Sequence, residues 1–279
     1  MGLMDSVRWA WRRTLQPRYE ARASKRREVV REERFRQRDH GLDREAVEFL
    51  RSLHPEKAPE MVLVGGETDG GYFVPSLDLT NYKLFSPGVG HVVDFEYEFA
   101  SQGHDVFMLD GTVQQLPKEH EKFNFVSKNL GMASGEISLG DWISEHAESG
   151  EEVVLQMDIE GAEWEAFSLD AIDDEILDSI AWMVVEFHGM EDFWKDSHRP
   201  KMLGTVARIL ENHFPAAVHP NNCAPWLSLT GIHLPRVFEV TFVNRRYAPL
   251  AAEANVQFPR FRNCPNRPSL VWPFSAEKA

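Results

Sequence analysis

The densest run of residues able to do chemistry is Val153-Val154-Leu155-Gln156-Met157-Asp158-Ile159-Glu160-Gly161-Ala162-Glu163-Trp164. An apolar strand stops abruptly at three carboxylates with a glycine among them. Acids crowded in this way repel one another unless they bind a cation, a base or hydroxyls. Glu163 has a second explanation, because a carboxylate in the first turn of a helix is favoured by the helix dipole. Two later apolar runs also end in polar chemistry, one in Glu186 and His188-Gly189, the other in His219-Pro220-Asn221-Asn222. Consecutive strand ends of this kind deliver Asp158, Glu160, Glu186, His188, His219 and Asn222 to one rim, where α/β sheets bind ligands. Such a set acts as general base on a hydroxyl. Alternatively, Asp158, Glu186 and Asn222 offer the oxygen ligands preferred by a hard cation such as Mg²⁺, which lowers a hydroxyl's pKa.

A second group has the form of a nucleotide half-site. Leu84-Phe85-Ser86-Pro87-Gly88-Val89-Gly90 is an apolar strand running into a glycine turn, followed by a helix containing Glu96. Glycines there let a ligand approach the backbone, and the helix presents its first amides. Asp110 ends the next strand, about 20 residues after the glycines, where an acid binds ribose hydroxyls. S-adenosylmethionine, nicotinamide cofactors and nucleotide-sugars all use this geometry. Upstream, Gly65-Gly66-Glu67-Thr68-Asp69-Gly70-Gly71-Tyr72 reads equally as a hairpin turning at Asp69-Gly70 or as a further cofactor contact.

The elements that must hold these groups alternate. Apolar runs predict strands at 61–64, 72–74, 84–86, 106–109, 123–126, 153–157, 182–187, 216–218 and 238–243, with helices at 95–102, 139–146, 164–169 and 200–213. Asp43 reads as the N-cap of a helix reaching Leu53. Strands interleaved with helices indicate an α/β fold whose mainly parallel sheet is covered on both faces. Residues 45–279 form that domain, with an irregular Pro/Arg/Asn-rich tail from about 249. Residues 1–44 form a basic helical N-terminal extension, apolar on one face through Val7, Ala10, Trp11 and Leu15.

Charge and cysteine usage narrow the partners. The net charge is −14, yet residues 1–44 hold 13 Lys/Arg against 7 Asp/Glu, leaving −20 on the remainder. So acidic a body repels phosphate backbones, which excludes nucleic acid as the expected substrate. The mixed charges of the extension suit a solvated helix face; its Trp9, Trp11 and flanking arginines equally suit a membrane surface, another subunit or a partner protein. No apolar run approaches a bilayer span. Cys223 and Cys264 lack metal-binding spacing and are expected as reduced thiols of a cytoplasmic protein, at most peripheral at a membrane.

At Asp158-Ile159-Glu160-Gly161-Ala162-Glu163 the chain resembles the FkbM-type methyltransferases, whose hallmark is a strand running into Asp-x-Glu-Gly-Ala-Glu. It is more similar still to a branch that includes animal methyltransferase-like proteins. The shared features are Asp69-Gly70-Gly71-Tyr72, Ser86 to Gly90 followed by Phe95-Glu96, Glu186-Phe187-His188, His219 to Asn222, and Glu239 to Val243. The resemblance runs from about Val62 to Pro268. No acid immediately precedes the glycine turn, and His91-Val92 stands where the branch often has Asn/Asp-Asp. The resemblance implies a Rossmann-like seven-stranded methyltransferase sheet, S-adenosylmethionine as donor, and O-methylation of a sugar, glycan or small natural product. The expected donor contacts are Asp69, Gly70, Gly71, Tyr72, Ser86, Gly88, Val89, Gly90, Glu96, Asp110 and Asp158. Asp158, Glu160, Glu186 and His188 are expected to serve the acceptor as base or metal cage, with His219 and Asn222 orienting it. The alternatives are a nicotinamide-dependent oxidoreductase and a non-catalytic binding module on the same sheet.

Overall fold

The computed structural model describes residues 40–79, 81–148, 150–229, 232–251 and 262–274. Residues 1–39 of the helical extension expected over 1–44 lie outside the described residues. Helix α1 (His40–Arg51) contains the boundary between two units of the chain, residues 1–47 and 48–279. It begins at His40, so Asp43 lies in its first turn instead of capping it.

In the second unit, β1 (Met61–Val64) and β2 (Tyr72–Pro75) form an antiparallel hairpin. Strands β3 (Tyr82–Pro87), β4 (Val106–Leu109), β5 (Phe123–Val126), β6 (Glu152–Met157), β7 (Ile180–Phe187) and β8 (His213–Pro220) belong to the main sheet. A small hairpin of β9 (Leu227–Leu229) and β10 (Ile232–Leu234) precedes β11 (Phe238–Asn244), the last strand of that sheet. The seven-stranded order is β5-β4-β3-β6-β7-β11-β8, and β11 alone runs antiparallel to its neighbours. Strands buried on both faces are apolar nearly throughout, as β7 shows with every position buried.

Alternate residues face opposite layers. Leu84, Val154 and Val184 share a core with the β1–β2 hairpin and α2 (Asp94–Ser101). There the rings of Tyr72 and Phe95 meet edge-on at 5.3 Å. On the other face Phe85 meets Trp142 of α3 (Leu139–His146) at 5.1 Å, and Phe187 stacks on Trp164 of α4 (Glu163–Ala166) at 4.4 Å. Each such aromatic contributes roughly 1.5–3 kcal/mol by leaving water. Helix α5 (Asp174–Ser179), absent from the sequence-based reading, leads into β7, and α6 (Arg199–Asn212) leads into β8. The Thr205 hydroxyl of α6 donates to the Trp164 carbonyl (2.8 Å).

Strand order reverses between β3 and β6, since β3 leads outward to β4 and β6 outward the other way to β7. The carboxyl ends of that central pair, Pro87-Gly88 and Met157-Asp158, therefore flank the crevice where such sheets bind ligands.

The two cysteines correct the sequence-based expectation. Cys223 and Cys264 form a disulfide with Cα atoms 5.3 Å apart. The Asn222 side chain helps bring them together: the Cys264 N–H donates to Asn222 Oδ1 (2.8 Å), holding the tail across the loop after β8. The tail is irregular over 262–274 and is anchored by buried Trp272 and Phe274. No helix among the described residues is long and apolar enough to cross a membrane.

Candidate active site

A cavity of about 480 Å³ opens at the β3/β6 crevice, within the range of small-molecule sites. Its floor depends on Gly88, whose φ is +89° and whose Cβ, were there one, would fall 1.6 Å from the Asp158 carbonyl oxygen. No side chain fits there. The turn is tied on both sides, Gly88 N–H donating to the Leu109 carbonyl (2.8 Å) and Asp158 N–H to the Pro87 carbonyl (3.2 Å).

Asp110 closes one side of the cavity. It accepts from Gly90 N–H (2.8 Å), Thr112 N–H (2.7 Å) and the Thr112 hydroxyl (2.6 Å). Burial pushes its pKa up, but these donors outweigh burial and hold the carboxyl below its ordinary value. It thus stays ionised at the end of β4, an acceptor suited to hydroxyls.

Asp69, Gly70, Tyr72, Glu96, Gln156 and Asp158 also line the cavity. The Gly65–Tyr72 loop joins β1 to β2, and its Asp69, Gly70 and Tyr72 reach the cavity. It is longer than a two-residue turn at Asp69-Gly70, however, and Gly71 does not line the cavity. Gly71 N–H bonds the Thr68 carbonyl (3.0 Å), and a Cβ there would lie 2.1 Å from the Gly66 carbonyl oxygen. Ser86 is likewise fully buried behind the wall, its hydroxyl 2.5 Å from Glu96 Oε1 and 2.6 Å from Gln156 Oε1. One hydroxyl proton cannot serve two acceptors, so either Glu96 is protonated or the Gln156 amide turns its NH₂ toward Ser86. Burial raises Glu96 to about 7. Gln156 was missed as a site residue, although one polar residue inside an apolar strand was a readable signal.

The Asp158–Glu163 turn is built around Glu163, which is completely buried. Its Oε1 accepts from Ile159 N–H and Gly161 N–H, both at 3.1 Å, and lies 3.1 Å from His188 Nδ1. This holds Glu160 in the left-handed region (φ 56°) and sends its side chain to solvent, 87% exposed. His188 Nε2 then faces Glu160 at 3.6 Å and Asp158 and Glu186 at 3.8 Å. Burial depresses the His188 pKa, but its bond to Glu163 and the charges of Glu163, Asp158 and Glu160 prevail and raise it to about 9. Burial is the leading cause that lifts Asp158 to about 7, against the opposing pull of His188.

The structure brings Asp158, Glu160 and His188 together, but of the expected acceptor residues only Asp158 and Glu160 line the cavity; His188, Glu186, His219 and Asn222 do not. Glu186 and His219 point to the same sheet face as Gln156, beneath the β1–β2 hairpin. Glu186 accepts from the Asn221 amide (2.7 Å), and His219 Nε2 lies 2.9 Å from Asn263 Oδ1. Between them in register stands Glu239, which accepts from the Asn263 amide (2.7 Å). Burial first, then neighbouring carboxylates, pushes Glu186 well above the usual carboxylate range; Glu239 is raised chiefly by burial. Tyr72 is raised by burial and by Asp158, Glu186, Glu239 and Glu96 together. Asn222 is consumed structurally: its Oδ1 accepts from Cys264 N–H, and its NH₂ bonds the carbonyls of Cys264, Arg267 and Pro268. The Asp158–Glu186–Asn222 cation set is therefore not assembled. One ligand atom each of Asp158, Glu160 and His188 instead lie within 4.8 Å of one another. Two further observations suit a small dication there: Asp158 Oδ1 is buried without a hydrogen-bond partner, and His188 Nδ1 is engaged by Glu163, leaving Nε2 toward the acids.

No protein-family model matches the chain, and no curated protein matches it.

Proposed function

We propose that the chain is an S-adenosylmethionine-dependent methyltransferase acting on a hydroxyl of a sugar, glycan or small natural product. The observation that carries this reading is the charge of the cavity. Asp69, Glu96, Asp110, Glu136, Asp158 and Glu160 line it, and no Lys or Arg is among the described residues that do. A nicotinamide cofactor would bring its pyrophosphate into this field, and like charges about 4 Å apart repel by about 4 kcal/mol at a surface-like dielectric. S-adenosylmethionine brings a sulfonium and an ammonium against one carboxylate, a net positive ligand for a negative site. The sheet supports the same choice. Its antiparallel strand between the last two parallel ones departs from the six-stranded order 3-2-1-4-5-6 of dinucleotide-binding domains.

In this reading Asp110 holds the ribose and the Gly88–Gly90 turn lies under the donor. Asp158 stands at the methyl-transfer end. Transfer is an in-line displacement: the methyl carbon bonds the acceptor oxygen, its bond to sulfur breaks with the pair left on sulfur, and the hydroxyl proton passes to Asp158. Positioning and proton removal are what the protein must supply, and a carboxylate raised to about 7 suits the second task. Glu163 holds His188, whose positive charge favours the ionised form of Asp158 that receives the proton. A divalent cation, if the site takes one, would be held by Asp158, Glu160 and His188 and would acidify the acceptor hydroxyl.

The disulfide favours an oxidising compartment over the cytoplasm. Docking of residues 1–44 to a membrane, a second subunit or a partner protein is a separate proposal, tested by deleting them and following turnover and localisation. The reading as a whole is tested by transfer of labelled methyl from S-adenosylmethionine to a panel of sugars, glycans and hydroxylated lipids. Transfer by the native chain and none by Asp158→Ala, folded and still binding donor, supports it. Equal transfer by the variant removes Asp158 from the mechanism.

A further inference from the structure

The α-ammonium in the donor's amino-acid half needs a counter-charge, and no acid stands just before the glycine turn, where this chain has Ser86. The structure fills that gap from the next element. Glu96, in the first turn of α2, lies 2.5 Å from the Ser86 hydroxyl, is 3% exposed and still lines the cavity. We propose, on the basis of the methyl-donor reading above, that Glu96 binds the donor's α-ammonium group, doing from α2 what an acid at the end of β3 would do.

Three observations carry this. Glu96 stands with Asp69, Tyr72, Gln156 and Asp158 in the cavity wall, apart from Asp110, to which the methyl-donor reading gives the ribose. Its carboxyl is fixed in place by Ser86, which is in turn 2.6 Å from Gln156, so the group is aimed before any ligand arrives. No Lys or Arg lines the cavity among the described residues to neutralise it, and a buried carboxylate without a partner is costly. The groups that face it are neutral Ser86 of β3 and Gln156 of β6, the hydroxyl of Tyr72 of β2, and Asp94 of its own helix. None is a cation. Before binding, Glu96 therefore keeps its proton near neutrality, burial raising it to about 7. When the ligand's ammonium docks, that proton leaves to the buffer and the carboxylate pairs with the –NH₃⁺.

The test compares S-adenosylhomocysteine with 5′-methylthioadenosine, which keeps the nucleoside and thioether but lacks the amino-acid tail. Native protein and Glu96→Gln are titrated calorimetrically at pH 6 in buffers of different ionisation enthalpy. The expected result is net proton release when the native chain binds S-adenosylhomocysteine, and none with methylthioadenosine. Glu96→Gln should release no proton and lose affinity for S-adenosylhomocysteine by roughly ten-fold or more, while binding methylthioadenosine as the native chain does. Equal affinity of native and variant chains for S-adenosylhomocysteine overturns this proposal alone, and so does an equal loss for both ligands, which marks Glu96 as structural. If the native chain binds neither ligand, the proposal falls together with the methyl-donor reading. Should the variant not fold, buffer-independent enthalpy in the native chain is the result that overturns it.

Discussion

Glu163 shows how one residue can organise a site without reaching the ligand. Its carboxylate serves two backbone amides and His188, so Glu163→Gln should lower the His188 pKa from about 9 and cost roughly 1–3 kcal/mol. A histidine raised in the folded state gives stability that is complete below about 6.5 and lost as pH climbs to about 9. Stability of the native chain should therefore decline over that window, and Glu163→Gln should flatten the decline; histidine NMR and urea titrations between pH 6 and 9 measure both. An unshifted His188 would contradict the assignment. Gly88→Ala should be worse, because it combines a left-handed backbone with a clash against main chain. We expect a loss of roughly 3 kcal/mol or more, read as a lower thermal midpoint, and loss of nucleoside binding; near-native stability would contradict the geometry. The strand-end rule made Asp158, Glu160 and Asp110 legible as residues. It could not tell that Glu186 and His219 are roofed over, because the roof is a hairpin more than 100 positions earlier in the chain.

At the scale of elements, long apolar runs were readable, and the nine expected strands are all present, most lengthened at their ends. The missed pieces are short: β9, β10 and α5 offer three to six residues each, too few for a period to show. The register of β11 was also out of reach from the sequence, yet it sets Glu239 directly opposite Glu186 on one side and His219 on the other. Two buried acids in register oppose each other whenever both ionise. An acid raised by folding favours the fold below its unfolded pKa and withdraws that support as pH rises toward its folded value. Glu239→Gln keeps an acceptor for Asn263 and removes that loss, so the variant should gain stability over the native chain at pH 8 and little at pH 5. Urea midpoints at the two pH values decide it, and a gap independent of pH would show that the pair does not share a proton in this way.

For the whole molecule, the disulfide and the tail it ties down were the largest departure from the sequence-based reading. Two cysteines 41 residues apart carry no local mark of pairing; tertiary hydrogen bonds linking Asn222, His219 and Glu239 to the tail bring them together. Closing a loop of that length stabilises by about 4 kcal/mol in the chain-entropy picture. Reduction should lower the urea midpoint accordingly and slacken the tail residue Asn263 that links Glu239 to His219; an unchanged midpoint with reductant would argue that the bond is absent. Above these details stands the acidic cavity at the reversal of strand order, whose charge, on the function proposed here, favours a cationic ligand over a dinucleotide. The most direct test is calorimetric titration of the full chain with S-adenosylhomocysteine, NAD and NADP in turn. The account predicts saturable binding of S-adenosylhomocysteine alone, weakened by Asp110→Asn. Binding of NAD or NADP in its place would contradict it.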